Sequence, residues 1–332
     1  MRRQRAGAGV DFAALGTEQR NPRSMALDRL TTLQVLRLIN KEDHTVPTAV
    51  GPEIPRIARA VEAVVRAIMG GGRVVYVGAG TSGRVGLLDA LEWPPTFGVA
   101  PDLVRVIIAG GAHATIGSAA PAEDDRDGGR AQIAALPVGP KDVVVGIAAS
   151  GVTPFVLGAV QEARRLGAVV VGLGNVPKSP LARAVHIAIT PVVGPEVLTG
   201  STRMKAGTAQ KLVLNMISTA AMVRLGKVYS NLMVDMPPTN RKLAARAHRM
   251  LEQATGLPAD ASERLLGEAG GSVKIAIVMV LAGVTRDEAE RLLQRSDGHV
   301  RLALQTARAR KATAQRRRGS ARRRRQGHAG RR

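Results

Sequence analysis

The chain contains no cysteine, which excludes disulfide staples, a thiol nucleophile and any cysteine-ligated metal centre. Aromatic residues make up only 2% of it, against 45% for apolar residues of all kinds. The core must therefore be built from Val, Ile, Leu and Ala. No apolar run reaches the length that crosses a bilayer, and the basic N-terminus is followed by no signal-peptide core. These absences are compatible with a cytoplasmic protein that has no membrane partner. His44, His113, His186 and His248 show no metal-ligand spacing, so loop or surface positions are the simpler reading for each and no metal is expected.

Acidic residues are missing from one stretch in particular. Of the net charge of +22, twelve Lys/Arg fall in residues 308–332 with no Asp or Glu, which leaves 22 − 12 = +10 for the rest. Arg316 to Arg318 and Arg322 to Arg325 sit among Ala, Gly, Ser and Gln, with no aromatic side chain to stack on a base. That composition predicts a disordered tail whose nucleic-acid contacts would be weak and salt-dependent. A solubilising extension without a role in activity is the preferred reading. The remaining positive charge suits an anionic substrate.

What is present is an alternation of short apolar runs and helical stretches. Residues 1–14 are basic and glycine-containing, and read as unstructured. Leu15 to Pro22 reads as an extended arm. A helix capped by Ser24 or Asp28 follows, and then a second one over about Ile54 to Met69 that is stopped by Gly70-Gly71-Gly72. Strands are predicted at 73–78, 103–109, 142–148, 168–173 and 185–190. Each is nearly continuous in apolar residues, as parallel strands covered on both faces are. The predicted fold is α/β, with a five-stranded parallel doubly wound sheet, an N-terminal helical arm and a small C-terminal helical domain. The expected boundaries are 15–256 for the sheet domain, 257–307 for the helical domain and 308–332 for the tail. Val273 to Val280 has strand propensity, but its neighbours are helical and it reads as a buried helix.

The ends of the strands repeat one chemistry. The first strand runs into Gly78-Ala79-Gly80-Thr81-Ser82-Gly83-Arg84, the third into Ala149-Ser150-Gly151-Val152-Thr153-Pro154, and the fifth is followed by Gly200-Ser201-Thr202-Arg203-Met204-Lys205. A small residue, a hydroxyl and a helix start together supply unpaired N–H groups, hydroxyl donors and a positive dipole end. Thr81, Ser82, Ser150, Thr153 and Ser201 are thus candidate phosphate ligands, with the helix after the first loop expected to begin at Gly83 or Arg84. A single such loop is usually only a helix cap; it is the repetition that favours a phosphate site. Residues 78–83 also match G-x-G-x-x-G. The following strand ends in Gly110-Gly111 where a dinucleotide site needs an acid, so a nicotinamide cofactor is disfavoured.

These loops resemble the sugar isomerase (SIS) superfamily. Within it, Leu15 to Pro22, Ile39 to Pro47, Gly78 to Arg84, Ala122 to Gly129, Thr199 to Lys211 and Asn231 to Asp235 resemble the N-acetylmuramic acid 6-phosphate etherases from about Leu15 to Ala307. The resemblance implies cleavage of the D-lactyl ether at C3 of a phosphorylated amino sugar in cytoplasmic cell-wall recycling, by a carbon–oxygen lyase. It implies no cofactor, a homodimer with sites near the interface, and a C-terminal domain similar to ubiquitin-associated folds. It also places Glu92 at the family's proton-donor position and Glu123 at its second catalytic carboxylate. Assigning Glu123 as the base at C2 follows from the chemistry, because an elimination needs one base and one acid. By residue pattern alone, Glu92 reads as a helix-end carboxylate and Glu123 as part of a solvated loop with Asp124, Asp125 and Asp127.

Arg203 and Lys205 are candidates for pairing with the phosphate or the lactate carboxylate, with helix-surface charge as the alternative. Val152 stands where the family usually has Arg, and Leu91-Glu92-Trp93 where Ser-Glu-Cys is usual. A straight helix would carry Glu92 ~15 Å from Ser82. Glu92 is therefore expected either to serve a partner subunit's site or to follow a break in the helix. The competing functions are a sugar-phosphate-binding regulator of the glucokinase-regulator type and a sugar-phosphate isomerase.

Overall fold

The structure, a computed structural model, describes residues 15–116 and 120–313. The N-terminus through residue 14 and most of the Arg-rich run, both expected to be disordered, lie outside the described residues. Leu15 to Gln19 form a turn where an extended arm was expected, because Leu15 and Thr17 are buried and the backbone folds back through Glu18 N–H to Leu15 O. Two short 3-10 turns, Pro22–Ser24 and Leu27–Arg29, occupy the predicted helix start. The cap is instead Thr31, which forms a reciprocal capping box with Gln34 at the head of α1 (Thr32–Asp43).

The elements then run α2 (Thr45–Val50), α3 (Ile54–Met69), β1 (Val74–Gly78), α4 (Gly80–Phe97), β2 (Val104–Ile108), α5 (His113–Ile116), α6 (Ala120–Glu123), α7 (Arg126–Ala134), β3 (Val143–Ile147), α8 (Pro154–Arg165), β4 (Val169–Leu173), α9 (Pro180–Ala184), β5 (Ile187–Ile189) and α10 (Lys205–Arg224). The five strands form one parallel sheet in the order β2-β1-β3-β4-β5. Every residue of β1 and β3 is buried. Val75, Val77, Val144 and Val170 pack with Phe155 and Val156 of α8, an aliphatic core of the kind the low aromatic content predicts.

The glycines of the G-x-G-x-x-G stretch have a packing reason. A Cβ on Gly78 would fall 2.6 Å from Gly83 N, and one on Gly83 would fall 2.9 Å from a methyl of Ile108. A side chain on Gly86 would press on Ile147 and Tyr76. These residues let α4 cross β1 at close range, and α4 consequently starts at Gly80, three residues earlier than expected. Below the turn, Asp89 accepts hydrogen bonds from Tyr76 (2.9 Å), Trp93 Nε1 (3.0 Å) and Ser218 (2.9 Å), which ties α4 to β1 and α10. Burial, and then the Asp89 charge beside it, hold the Tyr76 phenol well above its ordinary value.

The chain divides into two compact units. One holds the chain through Trp93 together with Ala100–Ala221; the other holds Pro94–Val99 and the chain from Met222. This moves the division well before the expected residue 257. The reason is that α11 (Arg241–Thr255) buries Ala247, Met250 and Leu251 in the core of the second unit, against α12 (Ala259–Glu268) and α13 (Val273–Ala282). α13 is a helix buried nearly all round, capped by the Ser272 hydroxyl and ended by Gly283 at φ +61. α14 (Arg286–Gln294) and a helix over 300–313 complete the unit. That last helix runs past residue 307, into the segment assigned to the tail, and Lys311 Nζ donates to Ala282 O at its far end (2.5 Å).

Candidate active site

The strand order places a reversal of winding between β1 and β3: the chain steps outward from β1 to β2, then returns to the other side of β1. Loops leaving the carboxyl ends of those two strands diverge there and open a crevice. The crevice is present, with a volume of about 320 Å³. It is lined by Gly80, Thr81, Ser82 and Arg84 after β1, and by Ser150 and Thr153 after β3. Thr202, Glu123 and Glu18 complete its polar lining.

The hydroxyls are available. Thr153 sits at the N-cap of α8, yet its side chain makes no capping hydrogen bond. Among the described residues, Ser150 Oγ accepts only a long bond from Val152 N–H (3.4 Å). α4 starts at the lip of the crevice, so the N–H groups of its first turn have no helical acceptor. Gly151, at φ +70, lies so close to Ser179 that a Cβ there would fall 2.2 Å from the Ser179 hydroxyl, and only glycine fits this turn. Backbone donors, free hydroxyls and the Arg84 guanidinium together make a seat for an oxyanion such as a phosphoryl group.

A carboxylate stands beside this seat. Glu123 ends the short α6, and its Oε1 would lie 3.0 Å from a Cβ on Gly80, whose φ of +51 already demands glycine. Partial burial pushes the Glu123 carboxyl above the ordinary glutamate value and the Asp124 charge adds to this, while Arg84 opposes both. A half-buried carboxyl with a raised pKa beside an anion seat is suited to proton transfer.

Thr81, Ser82, Ser150, Thr153 and Glu123 are thus brought together. Other candidates are placed elsewhere. The loop before α10 contributes Thr202 to the lining; Ser201 is not part of it, and Arg203 is exposed. Lys205 is buried away from the crevice and pairs with the equally buried Glu42 at 2.8 Å. Burial would raise the Glu42 carboxyl, but Lys205, Asn21 and Arg23 together outweigh it and hold the group below its ordinary value. Glu196 accepts from Lys205 N–H (3.0 Å) and Ala206 N–H (2.9 Å), and so closes the start of α10.

Glu92 is exposed and does not line the crevice. α4 continues through it, and through Pro94 and Pro95, to Phe97, so a broken helix does not bring it to the site. Leu88 and Leu91 beside it are also exposed, at 48% and 63%. Val152 is absent from the lining. Sequence reasoning missed Glu18, Arg84 and Thr202; the only signal for each was membership of a loop already singled out. Among the described residues no group of three or more His, Asp and Glu side chains is arranged to hold a metal ion.

Comparison with known proteins is consistent over most of the chain. Residues 56–164 match the family model described as the glucokinase regulatory protein N-terminal SIS domain, and residues 128–220 match the SIS domain. An N-acetylmuramic acid 6-phosphate etherase of Symbiobacterium thermophilum is 58% identical over 83% of this chain and 91% of its own length. Its counterpart from Glaesserella parasuis is 52% identical over 81% of this chain and 89% of its own. Among solved structures, a phosphoheptose isomerase from Francisella tularensis aligns with a TM-score of 0.45 and 20% identity, over 58% of this chain and 100% of that one.

Proposed function

The chain belongs to the N-acetylmuramic acid 6-phosphate etherase family, and we propose that its crevice carries out the family's reaction by elimination and re-addition of water. The substrate is a phosphorylated amino sugar bearing a D-lactyl ether at C3, and the products are N-acetylglucosamine 6-phosphate and D-lactate, in cell-wall recycling. An alkyl ether resists direct hydrolysis. With the sugar open, the C1 aldehyde acidifies the proton at C2, and loss of that proton expels the lactate oxygen from C3. Water then adds to C3 of the unsaturated aldehyde, with a proton returned to C2. On this reading the enzyme is a carbon–oxygen lyase of the hydro-lyase type.

The observation that carries the proposal is the placement of Glu123, with its raised pKa, in the same crevice as the hydroxyls of Thr81, Ser82, Ser150 and Thr153. With the phosphoryl group held by those loops, Glu123 takes the C2 proton. The departing lactate needs an acid, and we assign that role to Glu92 of a partner subunit. Its supports are the unbroken helix that holds Glu92 out of its own crevice and the exposed Leu88 and Leu91 that precede it. A homodimer would cover this apolar stripe and deliver the carboxyl. Arg203 and Ser201 remain candidates for contact with substrate in such an assembly, whereas Lys205 already has an ion-pair partner in Glu42. No single helix among the described residues is long and apolar enough to cross a membrane, and we place the reaction in the cytoplasm.

The test is D-lactate release from N-acetylmuramic acid 6-phosphate. Glu123→Gln should lower kcat by about 10²- to 10⁴-fold. Full activity in that variant ends the base assignment. Binding without lactate release in the wild type would favour a regulator, and aldose–ketose interconversion would favour an isomerase.

A further inference from the structure

Glu18 lines the same crevice as the hydroxyl loops, and the chain goes to some length to put it there. On either side of it, Leu15, Thr17 and Asn21 are buried while Glu18 itself is open to the cavity. The Asn21 amide donates to Glu42 Oε2 (3.0 Å) and to Pro195 O (3.2 Å), and its oxygen accepts from Arg23 N–H (2.9 Å). Glu42 is in turn the partner of Lys205, the first residue of α10. The turn that carries Glu18 and the loop that carries Thr202 are thereby pinned to one buried ion pair. A Cβ on Gly200 would fall 3.3 Å from Glu18 Oε2, so the carboxylate lies along that same loop.

Among the described residues the Glu18 carboxylate has no hydrogen-bond or ion-pair partner. A fixed carboxylate in a cavity built for an anion repels that anion, so its value there lies in what it accepts from the neutral part of the ligand. We propose that Glu18 is a specificity-determining substrate contact, whose carboxylate accepts a hydrogen bond from a hydroxyl or the acetamido N–H of the bound amino sugar. Asn21 is the positioning residue that holds it. The arrangement gives the crevice polarity: the phosphoryl end goes to the hydroxyl loops, the donor-rich end to Glu18. This deepens the etherase reading and rests on it for the identity of the sugar.

The experiment measures the affinity of the full-length protein for N-acetylglucosamine 6-phosphate and for inorganic phosphate by calorimetry, beside D-lactate release. Glu18→Ala should weaken the sugar phosphate by about tenfold to a hundredfold, as loss of a charge-assisted bond does. It should leave inorganic phosphate bound at least as tightly, which also shows that the crevice is folded. Asn21→Ala should weaken the sugar phosphate in the wild-type background and add no more than about twofold to Glu18→Ala, as two residues acting through one contact require. Sugar-phosphate affinity unchanged in Glu18→Ala overturns the proposal, as does equal loss of both ligands. A wild type that binds the sugar phosphate but releases no lactate overturns the etherase reading alone, and the affinities still decide the role of Glu18.

Discussion

Glu123 owes its chemistry to three neighbours of different kind: the protein around it that removes water, Asp124 that repels its charge, and Arg84 that favours it. A base must be ionised to act, so the acidic limb of kcat/KM follows the carboxyl of the free enzyme. Because the folded environment raises that carboxyl, the limb should lie above the ordinary glutamate value. Asp124→Asn removes a repelling charge, eases ionisation and should shift the limb to lower pH. Arg84→Met does the reverse and should shift it to higher pH while also raising KM, since Arg84 lines the crevice. Profiles that do not move in opposite directions would separate the limb from Glu123. Lys205 belongs to a different class. Lys205→Met removes the buried cation from Glu42, leaving it Asn21 and the half-exposed Arg23, and should cost up to about 3–5 kcal/mol in denaturant unfolding. With the Glu42 carboxyl held below its ordinary value, that pair stabilises the fold at neutral pH, and its contribution is lost as pH falls through the lowered pKa.

At the scale of elements, the site depends on how closely α4 approaches β1. Gly78→Ala would drive a methyl group against Gly83 N and Cα, at 2.6 and 2.7 Å, and neither backbone atom can turn aside. Overpacking of this kind costs about 1–3 kcal/mol. It also displaces Thr81 and Ser82, so lactate release should fall along with the urea midpoint. The second support of α4 is Asp89. Asp89→Ala leaves the Tyr76 hydroxyl and the Trp93 N–H without an acceptor in the core, at about 1–3 kcal/mol each. The urea midpoint should drop with no change in m. The indole N–H of Trp93 is spent on this network.

The largest scale is that of the assembled site. If Glu92 of one subunit serves the crevice of another, mixing Glu92→Gln with Glu123→Gln subunits rebuilds one working site in every mixed dimer. Each variant alone should be nearly inactive, and an equal mixture should recover about one quarter of wild-type activity. No recovery after subunit exchange would place both carboxyls in one chain and remove the partner from the mechanism. Cutting the chain after residue 313 should leave lactate release unchanged and abolish any salt-sensitive retention on polyanions.

Residue order alone determined the strands, because unbroken runs such as Val143 to Ile147 have no other stable place than a sheet covered on both faces. It likewise determined that hydroxyl-bearing turns follow the strands, since turn chemistry is local. Only the tertiary structure decided which hydroxyls face inward, choosing Thr202 over Ser201. It also sent Lys205 into a pair with Glu42, a residue far away in the chain, and brought Glu18 to the crevice. Long-range pairing leaves no periodicity in the residue order, and the side of a turn that meets a cavity depends on neighbours supplied from elsewhere. The place of α11 in the second unit was decided in the same way, by the partners that Met250 and Leu251 find only once the chain has folded.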